Sequence, residues 1–153
     1  MRSRFTLSVA CLLLGLAAIA RAAPPPALAP VEGRVVWVDF WASWCVPCRR
    51  SFPWLNSMQR KYGPAGLQII AVNLDKDRAL ADGFLEEVPA EFALRFDPSA
   101  ALAKEFGVQT MPSSFLIDTD GTVLAKHFGF RTADTGDYEK AIEAALNRAP
   151  AKE

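Results

Sequence analysis

The sequence has few of the residues from which disulfide frameworks and metal centres are built. Its 153 residues include three cysteines and a single histidine, His127. Cys11 lies in an N-terminal apolar stretch that we interpret as a targeting signal, so an exported chain would keep only Cys45 and Cys48. One closely spaced pair is typical of a working disulfide and excludes a framework of several bridges. We predict that His127 is a surface residue. The acidic segment at residues 75–77 lacks the glycine that a calcium loop needs at its sixth position, so we predict a polar connection there.

The sequence also has no excess of positive charge. Lysines and arginines number 17, and so do aspartates and glutamates. Removal of residues 1–22 would take away Arg2, Arg4 and Arg21, which leaves 17 − 3 = 14 basic residues against 17 acidic ones and a net charge of −3. No basic stripe that would attract nucleic acid is present. We therefore expect no nucleic-acid partner.

The N-terminus is predicted to be a secretory signal peptide, residues 1–22. Arg2 and Arg4 precede an almost continuously apolar stretch at residues 5–19, and Ala20-Arg21-Ala22 is a small-x-small cleavage site. We expect cleavage after this site and export to the periplasm. An uncleaved membrane anchor is the alternative, although the apolar stretch is shorter than the roughly 20 residues that a spanning helix needs.

The rest of the chain is long enough for one domain with a substantial core. Residues 23–32 are rich in proline and alanine and are predicted to be a leader, and residues 33–148 are predicted to be the folded domain. Strand-like and helix-like patterns alternate through it, which indicates an α/β fold. Strands are predicted at 35–41, 67–74, 92–96, 113–117 and 122–128. Helices are predicted at 46–62, 78–88, 98–106 and 135–147. In the second helix, Leu80 and Phe84 are among the residues expected to face the core.

The chemistry is concentrated in Cys45-Val46-Pro47-Cys48, which lies between the first predicted strand and the first predicted helix. Two cysteines at this spacing and junction can close a disulfide within one turn and exchange it with a disulfide of another protein. The free N–H groups and the dipole of the helix start favour a thiolate at Cys45. Cys45 is therefore the predicted nucleophile, and the more buried Cys48 is the predicted resolving thiol.

The segment Trp41-Ala42-Ser43-Trp44-Cys45-Val46-Pro47-Cys48, with Arg49-Arg50 and Phe52-Pro53 after it, resembles the active site of TlpA-like thiol–disulfide oxidoreductases of the thioredoxin superfamily. Residues 107–118 are similar to the Thr-x-Pro-like loop of that family, and the resemblance covers about residues 33–146. It implies a thioredoxin-like α/β fold with a central mixed sheet of four to five strands flanked by helices. The extra N-terminal hairpin of many relatives is expected to be absent.

The same resemblance implies a surface that binds substrate. It predicts a cis peptide bond before Pro112, an uncommon geometry that is typically a deliberate feature. Met111 would offer its backbone groups to an extended segment of the client protein. Pro112, Trp44 and Pro47 complete the predicted substrate-binding set. An ordinary trans proline at the start of a strand is the alternative.

Asp39 is the third predicted catalytic residue. It lies six residues before Cys45, the place that a buried aspartate holds in thioredoxin. Burial raises a carboxyl pKa, which would allow Asp39 to take and return the proton of Cys48. Relatives that resemble the cytochrome-maturation branch instead place a glutamate three residues after the second cysteine, where this chain has Ser51. The alternative for Asp39 is a strand-end carboxylate that reaches water.

Together these features predict an exported protein disulfide reductase that needs no cofactor and no metal. Its partners would be client proteins with disulfides and a membrane electron donor that re-reduces it, and it would be a monomer. TlpA-like relatives serve haem attachment or copper-site assembly. Three alternatives stay open: a disulfide-forming oxidant or isomerase, a chaperone that holds Cu(I) or Zn(II) between Cys45 and Cys48, and a binding module with inert cysteines. The client, the donor and the direction of electron flow are not determined by the sequence.

Overall fold

The structure is a computed structural model and describes residues 33–148. The predicted signal peptide at residues 1–22 and the leader at residues 23–32 lie outside the described residues. The prediction that an extra N-terminal hairpin is absent concerns the stretch before residue 33, and it also lies outside the described residues. Across residues 33–148, no helix has the length and apolar character that a membrane crossing requires.

Strands and helices alternate through the described residues. The strands are β1 (Val35–Trp41), β2 (Leu67–Asn73), β3 (Ala93–Phe96), β4 (Ser113–Ile117) and β5 (Val123–Phe128). The helices are α1 (Val46–Tyr62), α2 (Arg78–Glu87), α3 (Ala101–Glu105) and α4 (Thr135–Leu146), and a 3-10 turn at Thr132–Asp134 leads into α4. Each predicted element is present, and the bounds differ by at most a residue or so except at α3.

The five strands form one mixed sheet in the order β3-β2-β1-β4-β5. The pairs β1–β2 and β2–β3 are parallel, whereas β1–β4 and β4–β5 are antiparallel. The strand β1 is central and is buried along its whole length, as expected for a strand covered on both faces. The predicted α/β architecture, a mixed sheet flanked by helices, is confirmed.

Apolar side chains at alternate positions of β1 enter two separate cores, because successive residues of a strand point to opposite faces. One core contains α1 and α4 and receives Val35, Trp37 and Trp41. The other core contains α3 and receives Val36, Val38 and Phe40. By this alternation Asp39 belongs to the face that α1 and α4 cover, where it is the one carboxylate among the residues of β1.

The start of α1 follows from the residues around the cysteines. Cys45 has extended backbone angles (φ −82°, ψ 98°) and is the N-cap. Pro47 lies in the first turn, where the missing N–H of a proline costs no intrahelical hydrogen bond. The buried side chains recur every three or four residues and turn one stripe of the helix to the sheet. They are Cys48, Ser51, Phe52, Leu55, Met58 and Tyr62.

Two local predictions are wrong. The helix predicted at residues 98–106 begins only at Ala101, because Ala100 before it has left-handed backbone angles (φ 56°, ψ 25°) that do not continue a helix. The two oxygens of Asp97 accept hydrogen bonds from the N–H groups of Ala101 (3.0 Å) and Leu102 (2.8 Å). Leu80 of α2, which was expected to face the core, is 55% exposed because the helix turns its Ala81 and Phe84 side inward.

Candidate active site

Cys45 and Cys48 form a disulfide at the start of α1. The two sulfurs are 2.00 Å apart and the two Cα atoms 5.3 Å apart. The backbone N–H of Cys48 donates to the carbonyl of Cys45 (3.1 Å), which closes the first turn. Cys48 is fully buried and Cys45 is 3% exposed, so Cys45 is the outer member of the pair. The structure therefore places the predicted nucleophile nearer to solvent than the predicted resolving thiol.

A carboxylate that follows β2 holds the turn that precedes Cys45. Asp75 accepts hydrogen bonds from the backbone N–H of Ser43 (2.8 Å) and from its hydroxyl (2.8 Å). The side-chain amide of Asn73 donates to the same carboxylate (2.7 Å), and its oxygen accepts from the N–H of Asp75 (3.0 Å). Asp75 is buried, and these donors satisfy it.

Sequence reasoning treated Asp75 as part of a polar connection and missed this contact. One signal could have found it. In a parallel pair of strands the carboxyl ends lie side by side, and Trp41 is in register with Asn73. Polar residues directly after β2 therefore meet the turn directly after β1.

Two tryptophans closely precede the cysteine pair, and one is buried while the other is exposed. Trp41 is fully buried and packs against Phe52 (ring centroids 4.9 Å apart) and Phe84 (4.7 Å). Trp44, directly before Cys45, is 68% exposed, and Val46, directly after it, is 65% exposed. The disulfide therefore has an apolar surface beside it.

The loop that ends in Pro112 packs against the core on the α1 side of the sheet. The Met111–Pro112 peptide bond is cis. The half-buried Met111 packs against the core cluster that contains Cys45 and Cys48. The carbonyl of Pro112 accepts a hydrogen bond from the N–H of Gly129 (2.7 Å), which ties the loop to the end of β5.

Asp39 is 1% exposed, so the alternative of a carboxylate that reaches water is wrong. The hydroxyl of Ser114 donates to its Oδ1 at 2.6 Å, and its Oδ2 has no hydrogen-bond partner within the described residues. Burial raises the pKa of Asp39 from its ordinary 3.8 to about 7, although the Ser114 hydrogen bond acts in the opposite direction. Asp39 can therefore gain or lose a proton near neutral pH.

Ser51 occupies the position where some relatives place a glutamate. It is buried, and its hydroxyl donates to the backbone carbonyl of Cys48 (3.1 Å). This position therefore offers no carboxylate to the cysteine pair. The buried carboxylate on the α1 side of the sheet comes from Asp39 of β1 instead.

His127 is half-buried, and the prediction that it is a surface residue is wrong. Its ring stacks on Trp37, with centroids 5.3 Å apart and planes at 14°, and lies 4.5 Å from the ring of Tyr138. Burial lowers the pKa of His127. Although β5 is an edge strand, α4 covers this face of it, and Tyr138 from that helix closes over the imidazole.

Comparison with known proteins gives consistent matches. A family model described as Redoxin matches residues 26–142. The thiol-disulfide oxidoreductase ResA of Bacillus thuringiensis subsp. konkukian is 33% identical over 112 residues, which are 72% of this chain and 65% of that protein. The chain thus spans less than two thirds of the length of this curated relative.

Two solved structures are also similar. A structure from Chlorobium tepidum that carries the name thiol:disulfide interchange protein DsbE has a TM-score of 0.74 and 55% sequence identity. The match covers 75% of this chain and 82% of that one. StoA from Bacillus subtilis has a TM-score of 0.64 at 24% identity, over 73% of this chain and 84% of that one, and thereby shows the same fold.

Proposed function

The chain belongs to the Redoxin family, and from that premise we propose that it is a thiol–disulfide oxidoreductase that reduces client proteins through Cys45 and Cys48. The resemblance to thiol–disulfide oxidoreductases of the thioredoxin superfamily, expected from the sequence, is confirmed by the family match and the similar structures. The activity is the proposal. The observation that carries it is the Cys45–Cys48 disulfide at the N-terminus of α1.

The position of the pair explains why Cys45 would be the nucleophile. The free N–H groups of the first turn of α1 and the positive end of the helix dipole favour a thiolate at the N-cap, which is Cys45. Cys45 is also the more exposed of the two. A client disulfide therefore meets Cys45 first.

The reaction proceeds in two exchanges. In the first, the Cys45 thiolate attacks one client sulfur, a mixed disulfide forms, and the other client sulfur leaves as a thiolate that takes a proton from water. In the second, the Cys48 thiol loses its proton and its sulfur attacks that of Cys45. The remaining client sulfur then leaves. Two electrons pass to the client, and the enzyme ends with the disulfide that the structure shows.

Asp39 would accept the proton of Cys48 in the second exchange. It belongs to the sheet face that α1 covers, and α1 carries Cys48. Its pKa of about 7 allows it to accept a proton and to release it again near neutral pH. A surface carboxylate with an ordinary pKa would be a much weaker base.

The client segment would lie across the apolar surface around Cys45. Trp44 is exposed there, and Pro47 is partly exposed in the first turn of α1. The backbone groups of Met111, beside Pro112, would form strand-like hydrogen bonds with an extended client segment. Such bonds would hold the client disulfide in line with the Cys45 sulfur.

We extend the proposal to cell location and partners. Residues 1–22 would direct the chain to the periplasm as a signal peptide, and residues 23–32 would link it to the domain at residues 33–148. A membrane electron donor would keep the pair reduced. Assembly of cytochromes or of copper sites in respiratory proteins is the proposed setting, and a monomer is the proposed state.

Reduction of insulin by dithiothreitol tests the activity. The wild-type protein should accelerate it, Cys45→Ser should abolish the acceleration, and Cys48→Ser should accumulate a mixed disulfide that gel electrophoresis detects without reductant. Activity in both variants would contradict the mechanism. The arrangement within residues 33–148 holds no group of three His, Cys, Asp or Glu side chains suited to a metal ion. The Cu(I)/Zn(II) alternative would therefore rely on the two cysteines alone.

The reduction potential decides the direction of electron flow. It can be measured by equilibration of the Cys45–Cys48 pair against a dithiothreitol or glutathione series. A value near the roughly −270 mV of thioredoxin would support the reductant. A value near the roughly −120 mV of DsbA would support the disulfide-forming alternative instead.

A further inference from the structure

Asp39, Ser114 and His127 occupy directly opposed positions on three adjacent strands. Asp39 of β1 is in register with Ser114 of β4, and Ser114 is in register with His127 of β5. Directly opposed residues of antiparallel strands point to the same face, with Cβ atoms roughly 4.5–5.5 Å apart. The three side chains therefore form a row that runs from the centre of the sheet to its edge.

The middle residue of the row can pass a proton in both directions. The Ser114 hydroxyl donates to Asp39 Oδ1 at 2.6 Å. A hydroxyl has one hydrogen to donate and two lone pairs to accept with, so it can take a proton from Asp39 and release its own hydrogen. The next side chain along the row, on the other side of Ser114, also carries a free acceptor. His127 Nε2 is buried and has no hydrogen-bond partner within residues 33–148.

The surroundings of His127 keep its imidazole neutral and able to accept. Trp37 stacks on one face of the ring, and Tyr138 of α4 packs against it. Burial lowers the pKa of His127, and the charge of Asp134 opposes this effect in part. The guanidinium of Arg131 lies 2.7 Å from the Asp134 carboxylate, and its positive charge offsets the effect of Asp134 on the pKa of His127. The α1 helix contributes the uncharged Trp54, whose ring packs against those of Trp37 and Tyr138.

We propose that Ser114 and His127 conduct the proton between the buried Asp39 and solvent. This inference rests on the proposed function, in which Asp39 takes the proton of Cys48. Asp39 is 1% exposed and cannot release that proton to water directly. The half-buried His127 on the edge strand provides the outer end of the path.

The relay balances in protons and charge. Protonated Asp39 gives its proton to Ser114 Oγ, and the hydroxyl hydrogen of Ser114 moves to His127 Nε2. The imidazolium then releases a proton to water from its other ring nitrogen. Asp39 returns to a carboxylate and His127 to its neutral form, and no bond between heavy atoms changes.

The first test needs no substitution at His127. It is the only histidine of the chain, so its ring C–H protons give one set of NMR signals. In the oxidised protein these signals should follow two titrations, that of His127 itself and that of Asp39 near its pKa of about 7. The titration step that comes from Asp39 should disappear from the His127 signals in Asp39→Asn and become smaller in Ser114→Ala. One titration that is identical in the wild type and in Asp39→Asn would overturn the inference.

The second test is kinetic. His127→Phe keeps an aromatic ring against Trp37 but removes Nε2, so kcat for insulin reduction should fall about 10-fold with KM unchanged. Added imidazole should restore part of the loss, which a purely structural role of the ring would not allow. The Ser114→Ala/His127→Phe double variant should be no slower than the slower single variant, because both residues lie on one path.

Lys126→Gln is the matched control. Lys126 precedes His127 on β5 and points to the opposite face of the sheet, so this variant should keep wild-type kinetics. The relay would be overturned if kcat is unchanged in His127→Phe. It would also be overturned if kcat falls and added imidazole restores none of the loss. A wild-type protein that does not reduce insulin would instead overturn the proposed function. The NMR titration would still decide whether the protons of Asp39 and His127 are linked.

Discussion

Ser43 and Asp75 are joined by two hydrogen bonds although 32 residues separate them in the sequence. Both the N–H and the hydroxyl of Ser43 lie 2.8 Å from the Asp75 carboxylate. The backbone turn that leads to Cys45 is thereby attached to the end of β2. Because a misplaced sulfur loses its line of attack on a client disulfide, we infer that Asp75 positions Cys45.

Asp75→Ala should reduce both stability and rate. It leaves the N–H of Ser43 and the amide of Asn73 without their acceptor, which should lower the free energy of unfolding by about 2 kcal/mol. The rate of insulin reduction should fall severalfold because the turn is no longer held. Asp77→Ala is the control in the same connection. Asp77 caps α2 by accepting from the N–H of Ala79 (3.0 Å), so its loss should cost about 1 kcal/mol and leave the rate unchanged. Equal rates in the two variants would contradict the positioning role.

Asp39→Asn should change the dependence of the rate on pH. Asp39 accepts a proton only when it is ionised, so the wild-type rate of the second exchange should rise as the pH increases through the pKa of about 7. The asparagine variant should lack this rise and should be slower above neutral pH, on the order of 10-fold. The measurement is kcat for insulin reduction across neutral pH. Profiles of the same shape would remove Asp39 from the mechanism.

The same substitution should change how stability depends on pH. Between its ordinary pKa of 3.8 and about 7, Asp39 keeps a proton in the folded state that the unfolded state has released. The free energy of unfolding should therefore fall as the pH rises across this interval, by up to about 4 kcal/mol. The asparagine side chain does not titrate, and its amide oxygen can still accept from Ser114. Urea titrations of the oxidised proteins at several pH values should show that the variant is the more stable protein at neutral pH. If the free energy of unfolding depends on pH in the same way in both proteins, the raised pKa of Asp39 is contradicted.

Substitutions in α2 test which side of the helix faces the core. Phe84 is buried and packs against Trp41 (4.7 Å) and Phe52 (5.1 Å), so Phe84→Ala should cost about 3–5 kcal/mol. Leu80 is mostly exposed, so Leu80→Gln should change the free energy of unfolding by less than about 0.5 kcal/mol. Chemical denaturation of both variants gives the comparison. A large loss of unfolding free energy in Leu80→Gln would mean that α2 turns its Leu80 side, and not its Phe84 side, toward the core.

Much of the fold was predictable because its signals are local. The bounds of β1 and α1 follow from a continuous apolar run and from a helical stripe that begins after Cys45. The turn of the β4–β5 hairpin follows from Asp120-Gly121. The placement of Cys45 and Cys48 within one turn follows from their spacing alone. Each of these signals involves residues within a few positions of one another.

Asp97 and Leu80 show why local signals fail at some helix positions. Pro98 is a good first-turn residue, and it suggested an early start for α3. The left-handed backbone of Ala100 instead sets the start later, and the Asp97 side chain reaches forward to the N–H groups around Leu102. The apolar Leu80 suited either side of α2, and the packing of Phe84 on Trp41 decided which side is buried.

The cysteine pair, the helix that follows it and the proposed proton acceptor six residues earlier can all be identified from the sequence alone. The residues that surround them are set by the tertiary structure. The parallel register of β1 and β2 brings Asp75 to Ser43, and the antiparallel register of β1, β4 and β5 aligns Asp39 with Ser114 and His127. Strand register depends on pairing between segments far apart in the chain. Residue patterns within one segment do not contain that information.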